Sequence, residues 1–329
     1  MEIKQYAPVI IPTLNRYNHF KRCLESLERC TGADKTDVYV GLDYPPTEKY
    51  VEGWKKIDAY LVEKEKIHGF NNLFVRRRKK NCGVGNPNSN TALLRKEIEN
   101  NVEYYICTED DNEFSPNFLE YMNKGLELYK DTPNIMLISG YSYPSVEEMS
   151  FSNNVVAAKK AAAWGFGRWT GKTTPHQVVG GATYRDNVLK SWRKSLILFW
   201  KRPVSLNTFL SMKFRNKLYG DCLYSASFVL EGLYCIFPKI SKVRNWGHDG
   251  SGVHCDSTDT EMYIKQRIDT DNHFEYDELI FINNLNSRQF SKNRIWSIIS
   301  FLFVKIAIAL RYIFFRISGK DLFGFYFER

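Results

Sequence analysis

Three consecutive acidic residues, Glu109, Asp110 and Asp111, directly follow the apolar stretch 104–108, which has the pattern of a buried strand. Carboxylates so close together repel one another, and we expect a cation to relieve them. Hard oxygen ligands of this kind suit Mg²⁺ or Mn²⁺ that bridges to substrate phosphates. For three acidic residues taken alone, an exposed acidic turn is the alternative interpretation.

Other residues with chemical potential lie elsewhere in the chain. Asp43 ends a second apolar stretch and Arg16 follows a first one, although such residues also serve as a turn cap and a surface arginine. A glycine-rich segment begins at Gly247 and carries His254, with His248 as the alternative. Either histidine could reach a diphosphate or complete a metal shell, and a structural role is the competing interpretation.

The elements that must position these residues follow an alternating pattern. Strands are predicted at 8–12, 37–42, 72–76, 104–108 and 135–139, and helices at 18–29, at 50–66 and from about 91. Ser115 as N-cap and Pro116 at the first helical position predict the start of the next helix. Alternation of strands and helices predicts a parallel sheet of βαβ units, with ligands at the carboxyl ends of the strands.

Four segments, in this order, resemble the nucleotide-binding half of GT-A glycosyltransferases of the family 2 type. They are Pro8-Val-Ile-Ile-Pro-Thr-Leu-Asn-Arg16, Cys23-Leu-Glu-Ser-Leu27, Val38-Tyr-Val-Gly-Leu-Asp43 and Glu109-Asp-Asp111. The acidic motif also resembles that of N-acetylglucosaminyltransferase I and its protein O-mannose-linked relative, because it continues into a Phe-rich helix. Three later segments also resemble this group: Trp164-Gly-Phe-Gly-Arg-Trp169, Gly220-Asp221 and Cys235-Ile-Phe-Pro-Lys-Ile-Ser241.

The resemblance implies an α/β fold of the GT-A type, with a Rossmann-like mixed sheet flanked by helices. It also implies a UDP-sugar donor and Mn²⁺ or Mg²⁺ as cofactor. It assigns the donor nucleotide and its sugar to Thr13, Arg16, Asp43, Glu109 and Asp110, and the metal to Asp111, while the glycine-rich segment adds His254 as a candidate metal ligand.

On the acceptor side, Asp221 is the candidate general base, because an inverting transfer needs a carboxylate to take the proton of the acceptor hydroxyl. A helix N-cap is the alternative role for Asp221. The acceptor is assigned to three aromatic residues, which could instead be core packing: Trp164, Phe166 and Trp169. The loop 81–90 lacks the His and aromatic residues of N-acetylglucosaminyltransferase I, and its donor-site candidates are Asn88 and Asn90.

Composition and charge restrict the class of protein. Of the 329 residues, 43% are hydrophobic and 15% aromatic, which excludes a disordered chain. The net charge of +9 indicates an anionic partner, which could be nucleic acid, phospholipid or a phosphate-bearing substrate. The basic run 76–80 is interpreted as a solvated or diphosphate-facing edge of the sheet, so no nucleic-acid partner is expected.

The segment between Asp186 and Asp221 favours phospholipid as the anionic partner. It contains no acidic residue and interleaves basic residues with aromatic and aliphatic ones. A solvated helix face is the alternative. Seven scattered cysteines fit neither a disulfide framework nor a zinc site and favour a reducing compartment. With no secretory signal pattern at the N-terminus, a cytoplasmic protein on the inner face of the cell membrane is expected.

The C-terminal segment is apolar but interrupted by charge. Arg294, Lys305 and Arg316 fall on nearly one line of a helix, with Arg311 to one side, which predicts an amphipathic helix whose basic stripe faces lipid headgroups. The predicted organisation is a nucleotide-sugar-binding half at 1–140, an acceptor-binding half at 141–290 and a membrane-associated segment at 291–329.

Together these observations predict an inverting, metal-dependent transferase that uses a UDP-sugar and a lipid-linked or polysaccharide acceptor. A nucleotidyltransferase is the rival enzyme, because the same carboxylates could hold two metals. A glycosidase would use two opposed carboxylates without nucleotide. A membrane-bound glycan-binding module is the alternative from another class.

Overall fold

The computed structural model describes residues 3, 5–84, 86–250, 266–282 and 294–321, which form two units. Unit 1 comprises the described residues within Met1–Ala158, Ala162–Lys172 and Cys235–Ile282, and unit 2 those within Lys159–Ala161, Thr173–Tyr234 and Asn283–Arg329. The division differs from the predicted boundaries at 140 and 290. The donor and acceptor roles of those segments stay predictions.

Unit 1 contains the strands. They are β1 Val9–Thr13, β2 Asp37–Leu42, β3 Asn72–Arg77, β4 Tyr104–Cys107, β5 Asn112–Phe114, β6 Ile135–Ser139, β7 Val155–Ala158, β8 Phe166–Trp169, β9 Tyr234–Pro238, β10 Val243–Asn245 and β11 Ile280–Ile282. Its helices are α1 Tyr17–Glu28, α2 Val51–Lys64, α3 Asn90–Ile98, α4 Phe118–Leu128 and α5 Pro144–Glu147.

Among the described residues, nine strands form one mixed sheet in the order β11-β7-β9-β6-β8-β4-β1-β2-β3. Strands β4, β1, β2 and β3 run parallel, and Val9 of β1 lies opposite both Val38 of β2 and Ile106 of β4. Strand β8 pairs antiparallel with β4 and with β6. The predicted parallel start of the sheet is confirmed, and the carboxyl ends of β4, β1 and β2 meet at one edge.

Helices cover this part of the sheet because the strands carry apolar residues on both faces. Ile10 of β1 packs with Leu94 and Ile98 of α3. Helix α1 buries the apolar face predicted from its sequence, which consists of Phe20, Cys23, Leu24 and Leu27. Both helices are thereby fixed beside the edge at which β1 and β4 end.

The chain after β4 differs from the prediction. The next helix, α4, begins at Phe118 with Asn117 at its N-cap position, not at Ser115 and Pro116. Residues 112–114 stay extended as β5, because they pair with β10 in a separate antiparallel ribbon. The acidic triplet therefore occupies a short turn between β4 and β5.

Unit 2 is helical. Its helices are α6 Pro175–Val179, α7 Gly181–Lys190, α8 Trp192–Lys201, α9 Pro203–Arg215, α10 Gly220–Leu230 and α11 Arg294–Ser318. Helix α11 contributes Ile308 and Tyr312 to a core shared with Val188, Leu198 and Phe209. Within the described ranges, no helix combines the length and the apolar character that crossing a bilayer requires.

The predicted orientation of the basic residues of α11 is wrong for Arg311. This side chain is 1% exposed, and its Nη2 lies 2.6 Å from Asp321 Oδ2. Its Nη1 donates to Asn207 Oδ1 of α9 at 2.5 Å. A guanidinium placed against the core requires such a carboxylate, and Arg311 therefore faces the protein and not the headgroups.

Candidate active site

Functional candidates gather at the edge where β1, β2 and β4 end. Thr13 is the last residue of β1, Asp43 follows β2, and Asp110 lies in the turn after β4. Asp43 N donates to Thr13 O at 2.9 Å, and Thr13 Oγ1 donates to Asp110 Oδ2 at 2.9 Å. Thr13 thus links the two neighbouring strand ends, as expected for a ligand site of a parallel sheet.

Arg16 bridges the two buried carboxylates. Its Nη2 donates to Asp110 Oδ1, and its Nη1 lies 2.8 Å from Asp111 Oδ2. Arg16 occupies the N-cap position of α1, so the loop from β1 carries its guanidinium across the strand end to the acidic turn. The sequence placed Arg16 and the acidic residues in one site, and the structure brings them into direct contact.

Burial and like charge both act on Asp110. Burial raises the pKa of Asp110 above its ordinary value, the positive charge of Arg16 opposes the rise, and the charge of Asp111 adds to it. Burial lowers the pKa of Arg16, but Asp110 and Asp111 outweigh that effect and hold it above the ordinary value. The pair of carboxylates is therefore stabilised by a positive charge that the chain itself supplies.

The ribbon of β5 and β10 brings a second segment to Asp111. Asn245 lies opposite Asn112 in the ribbon, and its Nδ2 donates to Asp111 Oδ1 at 2.7 Å. Trp246 N donates to Asp111 O at 2.9 Å. At Gly247, an added Cβ would lie 2.2 Å from Asp111 Oδ2, so only glycine lets the backbone approach this carboxylate so closely.

The two carboxylates fit a divalent cation of the Mg²⁺ or Mn²⁺ type. Asp110 Oδ1 and Asp111 Oδ2 both point at one guanidinium, which stands where a hard cation could bind the same two oxygens. Mg²⁺ is commonly held by one or two carboxylates together with substrate phosphates. In the described ranges no group of three or more His, Cys, Asp or Glu residues forms a metal cage. Asp110 and Asp111 would hold such a cation together with the phosphates of a substrate.

Asp43 is fixed by the loop that follows β3. Its Oδ1 accepts from Cys82 N at 2.9 Å, and its Oδ2 accepts from Asn81 Nδ2 at 3.3 Å. Arg78 anchors the start of this loop, since its backbone N donates to Leu42 O at 2.9 Å. Arg78 Nη2 is buried and has no hydrogen-bond partner among the described residues. The guanidinium donates through Nε to Asn90 Oδ1 at 3.0 Å, so Nη2 is a further donor beside the start of α3.

Two other arginines of the basic run 76–80 form ion pairs with neighbouring helices and the segment after α2. Arg76 pairs with Glu97 at 2.5 Å, and Arg77 pairs with Asp58 and Glu65 at 2.5 and 2.9 Å. Both guanidinium groups are thereby directed to carboxylates on helices α3 and α2 and on the segment that follows α2. These two residues pair within the fold, and the solvated or diphosphate-facing role of the run 76–80 stays a prediction.

The two asparagines predicted for donor binding have local partners. Asn90 is buried at the start of α3, where its Nδ2 donates to Gly41 O at 2.6 Å and its Oδ1 accepts from Arg78 Nε at 3.0 Å. Asn90 therefore ties α3 to the ends of β2 and β3. Asn88 is exposed, and its backbone N donates to Asn86 Oδ1 at 2.9 Å.

The aromatic candidates separate into two groups. Trp164 is half-buried and meets the ring of His248 at 5.3 Å between centroids, so it lies beside the segment that contacts Asp111. Phe166 packs against the cluster that contains Ile10. Trp169 is 3% exposed, and its Nε1 donates to Leu126 O at 3.0 Å. Its position in the core gives Trp169 a packing role.

Three further candidates are placed less directly. Glu109 is exposed at the start of the acidic turn. Asp221 lies in unit 2, exposed in the first turn of α10, where Tyr219 and not Asp221 is the N-cap. An acidic residue there interacts favourably with the helix dipole. His254 lies outside the described residues.

Sequence reasoning missed Asn245 and Trp246. Trp246 Nε1 donates to Glu113 Oε2 at 2.8 Å, and the Arg22 guanidinium lies 4.2 Å from the centre of the Trp246 ring. The signal was present, because Asn245 and Trp246 directly precede the glycine-rich segment that begins at Gly247. Its pairing with residues 112–114 is a long-range contact that no local pattern indicates.

No protein-family model matches the sequence, and no curated protein matches it. Among solved structures, TarS from S. aureus matches with 18% identity and a TM-score of 0.28, over 48% of this chain and 22% of that chain. The structure of S. aureus TarS 1-349 matches with 18% identity and a TM-score of 0.25, over 48% and 36%. The mannosyltransferase PcManGT from Pyrobaculum calidifontis, in complex with GDP-Man and Mn²⁺, matches with 13% identity and a TM-score of 0.36, over 56% and 52%. The chain thus spans at most about half the length of these structures.

Proposed function

We propose that this chain is a glycosyltransferase that transfers a sugar from a nucleoside diphosphate to an acceptor hydroxyl, with Mn²⁺ or Mg²⁺ bound at Asp110 and Asp111. The observation that carries the proposal is the contact of Arg16 with both carboxylates at the edge where β1 and β4 end. Asp43 follows the next strand along the same edge. This arrangement supports a GT-A type of donor site, in agreement with the resemblance of the sequence segments.

The nucleoside and the diphosphate of the donor both have candidate binding residues along this edge. A uracil imide or a ribose hydroxyl would donate to the carboxylate of Asp43, which Asn81 and Cys82 hold in place. Arg16 and the backbone near Thr13 would hold the diphosphate. Arg78 offers a further positive charge to it. A divalent cation at the two carboxylates supplies neutralisation of the charge that develops on the leaving diphosphate.

The finer assignments rest on the resemblance and on chemical need. We assign UDP as the nucleotide, an inverting reaction, and Asp221 as the base that takes the proton of the acceptor hydroxyl. Glu109 would orient the donor sugar, and Trp164 offers a half-buried ring to an acceptor sugar. We expect the acceptor to be lipid-linked or a surface polysaccharide, and the protein to work at the inner face of the cell membrane.

The test is metal-dependent binding of UDP by the Asp111→Asn variant, which keeps the shape of the side chain and removes its charge. Calorimetry with UDP and Mn²⁺ is expected to show at least a tenfold loss of affinity, because one of two carboxylates no longer attracts the cation. The control is Asp34→Asn, since Asp34 is exposed and remote in sequence from the acidic turn.

Unchanged affinity of Asp111→Asn for UDP with Mn²⁺ would refute the assignment of the site. A screen of UDP-sugars for Mn²⁺-dependent hydrolysis then tests the reaction itself. Release of UDP supports sugar transfer, whereas release of pyrophosphate from nucleotide substrates would establish the rival nucleotidyltransferase.

A further inference from the structure

Helix α8 presents one apolar face to solvent. Trp192, Leu196 and Trp200 recur every four residues and therefore lie on the same side of the helix. All three are exposed, Trp192 by 55% and Trp200 by 65%. Its opposite side carries Ser195 and Leu198, which are buried. Large exposed aromatic residues in such a row mark an interaction surface.

Helix α11 presents a second apolar face. Consecutive residues of a helix are about 100° apart on a helical wheel. Four exposed residues of α11 therefore fall within an arc of roughly 100°, in the order Leu302, Ile306, Leu310 and Phe303. Phe303 is 68% exposed. Ile308 and Tyr312 lie on the other side of the helix, in the core of unit 2. The apolar face of α11 thus points away from the core that holds the helix.

The two faces lie side by side. The ammonium group of Lys305 lies 5.0 Å from the ring centre of Trp200, and the guanidinium of Arg316 lies 4.7 Å from that of Trp192. The middle of α11 therefore meets the end of α8, and late residues of α11 meet its start, so the helices run antiparallel. On the wheel of α11, Lys305 and Arg316 fall between the buried and the exposed faces. We call the combined surface the α8–α11 face: Trp192, Leu196, Trp200, Phe303, Ile306 and Leu310.

Basic residues predominate along the α8–α11 face, and on α8 itself Lys194 is paired with Glu231 at 2.8 Å. The segment between Asp186 and Asp221 contains no acidic residue. Lys190, Arg193 and Lys201 are exposed on α8 or next to it. Lys305 and Arg316 add two further positive charges along the line where the two helices meet. Long basic side chains can lie along apolar surface while their charged ends remain in the polar layer.

This combination of features distinguishes between possible occupants. A symmetric dimer through this face would bring the same basic residues of two copies together, which is unfavourable. An anionic bilayer offers the complementary charge, a boundary layer in which tryptophan is favoured, and an apolar interior for the aliphatic side chains. An amphipathic helix that lies in the plane of the interface has this composition.

We propose that the α8–α11 face inserts into the interface of an anionic bilayer, with apolar side chains toward the lipid and Lys305 and Arg316 between the two helices. The proposal deepens the membrane association stated under the proposed function. It replaces a basic stripe on α11 with an apolar face formed by two helices. Binding to lipid through this face does not depend on the identity of the donor or on catalysis.

The test is flotation of the full-length chain with vesicles of phosphatidylcholine alone and with vesicles that also contain phosphatidylserine. The variant is Phe303→Ser with Ile306→Ser, both at exposed positions whose replacement leaves the core of unit 2 unchanged. The control is Ile67→Ser, which removes an exposed isoleucine that follows α2 in unit 1. We expect at least a tenfold loss of binding to the anionic vesicles for the double variant and none for the control.

A second variant tests the charge. Arg193→Glu with Lys201→Glu is expected to abolish the preference for phosphatidylserine and its sensitivity to salt. Wild-type protein that does not float with anionic vesicles, or a double serine variant that floats as well as wild type, would overturn the proposal. A concentration-dependent dimer that the serine variant loses would assign the face to a second copy instead. UDP binding with Mn²⁺, measured on each variant, separates failure of this proposal from failure of the donor-site assignment.

Discussion

Substitution of Gly247 by alanine tests the geometry around Asp111 without removing any charged group. An alanine Cβ would lie 2.2 Å from Asp111 Oδ2 and 2.9 Å from its Cγ, whereas ordinary van der Waals contact begins near 3.4 Å. The carboxylate or the backbone of residue 247 must therefore move by about 1 Å. Backbone conformation is not the obstacle, since Gly247 is not among the glycines with positive φ.

The size of the effect follows from the hydrogen bonds of this carboxylate. Asp111 holds Arg16 at 2.8 Å and Asn245 at 2.7 Å, and a shift of this size breaks or weakens one of them. A hydrogen bond to a charged group contributes about 1.5–3 kcal/mol. We therefore expect metal-dependent UDP binding to weaken by roughly 10- to 100-fold. A comparable loss is typical when a site is misplaced by about 1 Å.

The assay is calorimetry of UDP binding with Mn²⁺, at a temperature well below the unfolding transition of each variant. Gly171→Ala is the matched control, because no atom lies within 4 Å of the Cβ position there and its φ is not positive. Equal affinities of Gly247→Ala, Gly171→Ala and wild type would refute the reasoning. They would show that Asp111 either has room to move or does not contribute to the bound cation.

Three further predictions concern the base, a buried ion pair and the bridging arginine. Asp221→Asn is expected to lower kcat by several orders of magnitude and to leave UDP-sugar affinity nearly unchanged, because a general base acts in the transition state. Asp269→Asn leaves the buried Lys242 without its carboxylate partner. The loss should be about 3–5 kcal/mol and lower Tm by roughly 5 to 20 °C in thermal unfolding. Arg16→Met removes the positive charge between the acidic residues, so Mn²⁺ should raise Tm more in this variant than in wild type.

The controls for these three variants differ. Near-normal kcat of Asp221→Asn would remove this residue from the mechanism. For the ion pair, a Tm unchanged by Asp269→Asn would contradict the buried partner, and Asp34→Asn serves as the exposed comparison. For the bridging arginine, Arg29→Met changes an exposed charge at the end of α1, and an equal response of both arginine variants to Mn²⁺ would show that Arg16 and the cation do not compete.

The strands from Val9 to Cys107 alternate with helices, and β1, β2 and β3 pair in sequence order while β4 pairs with β1. Local pattern predicted these strands and helices and their parallel direction. It failed where distant segments pair: the strand 112–114 exists because residues 243–245 lie beside it. A helix cap at Ser115 satisfied every local rule and was displaced by that pairing.

The same contrast between local pattern and long-range contact explains which site residues could be predicted from the sequence. Arg16 and the acidic turn each follow a strand of the parallel sheet, and the resemblance of their segments, taken in order, assigned them to one site. Asn90 and Trp169 were assigned to ligands on residue type, but both are buried and use their polar groups within the fold. Residue type cannot distinguish an amide that binds a substrate from one that binds a neighbouring carbonyl. Asn245 was missed for the converse reason, because its role depends on a partner 134 positions away.

The charges at the acidic turn indicate how cation and donor should bind with respect to one another. Asp110 and Asp111 with Arg16 carry a net charge of about −1, and the diphosphate of a nucleotide sugar adds about −2. Arg16 alone cannot neutralise that sum in a buried site, where like charges repel strongly. One divalent cation returns the total to its value before the donor arrived. Because the coupling of two ligands is reciprocal, UDP should raise the affinity for the cation as much as the cation raises the affinity for UDP. Arg16 therefore keeps the carboxylates charged and oriented in the absence of ligand, and the cation is expected to bind together with the diphosphate, not before it.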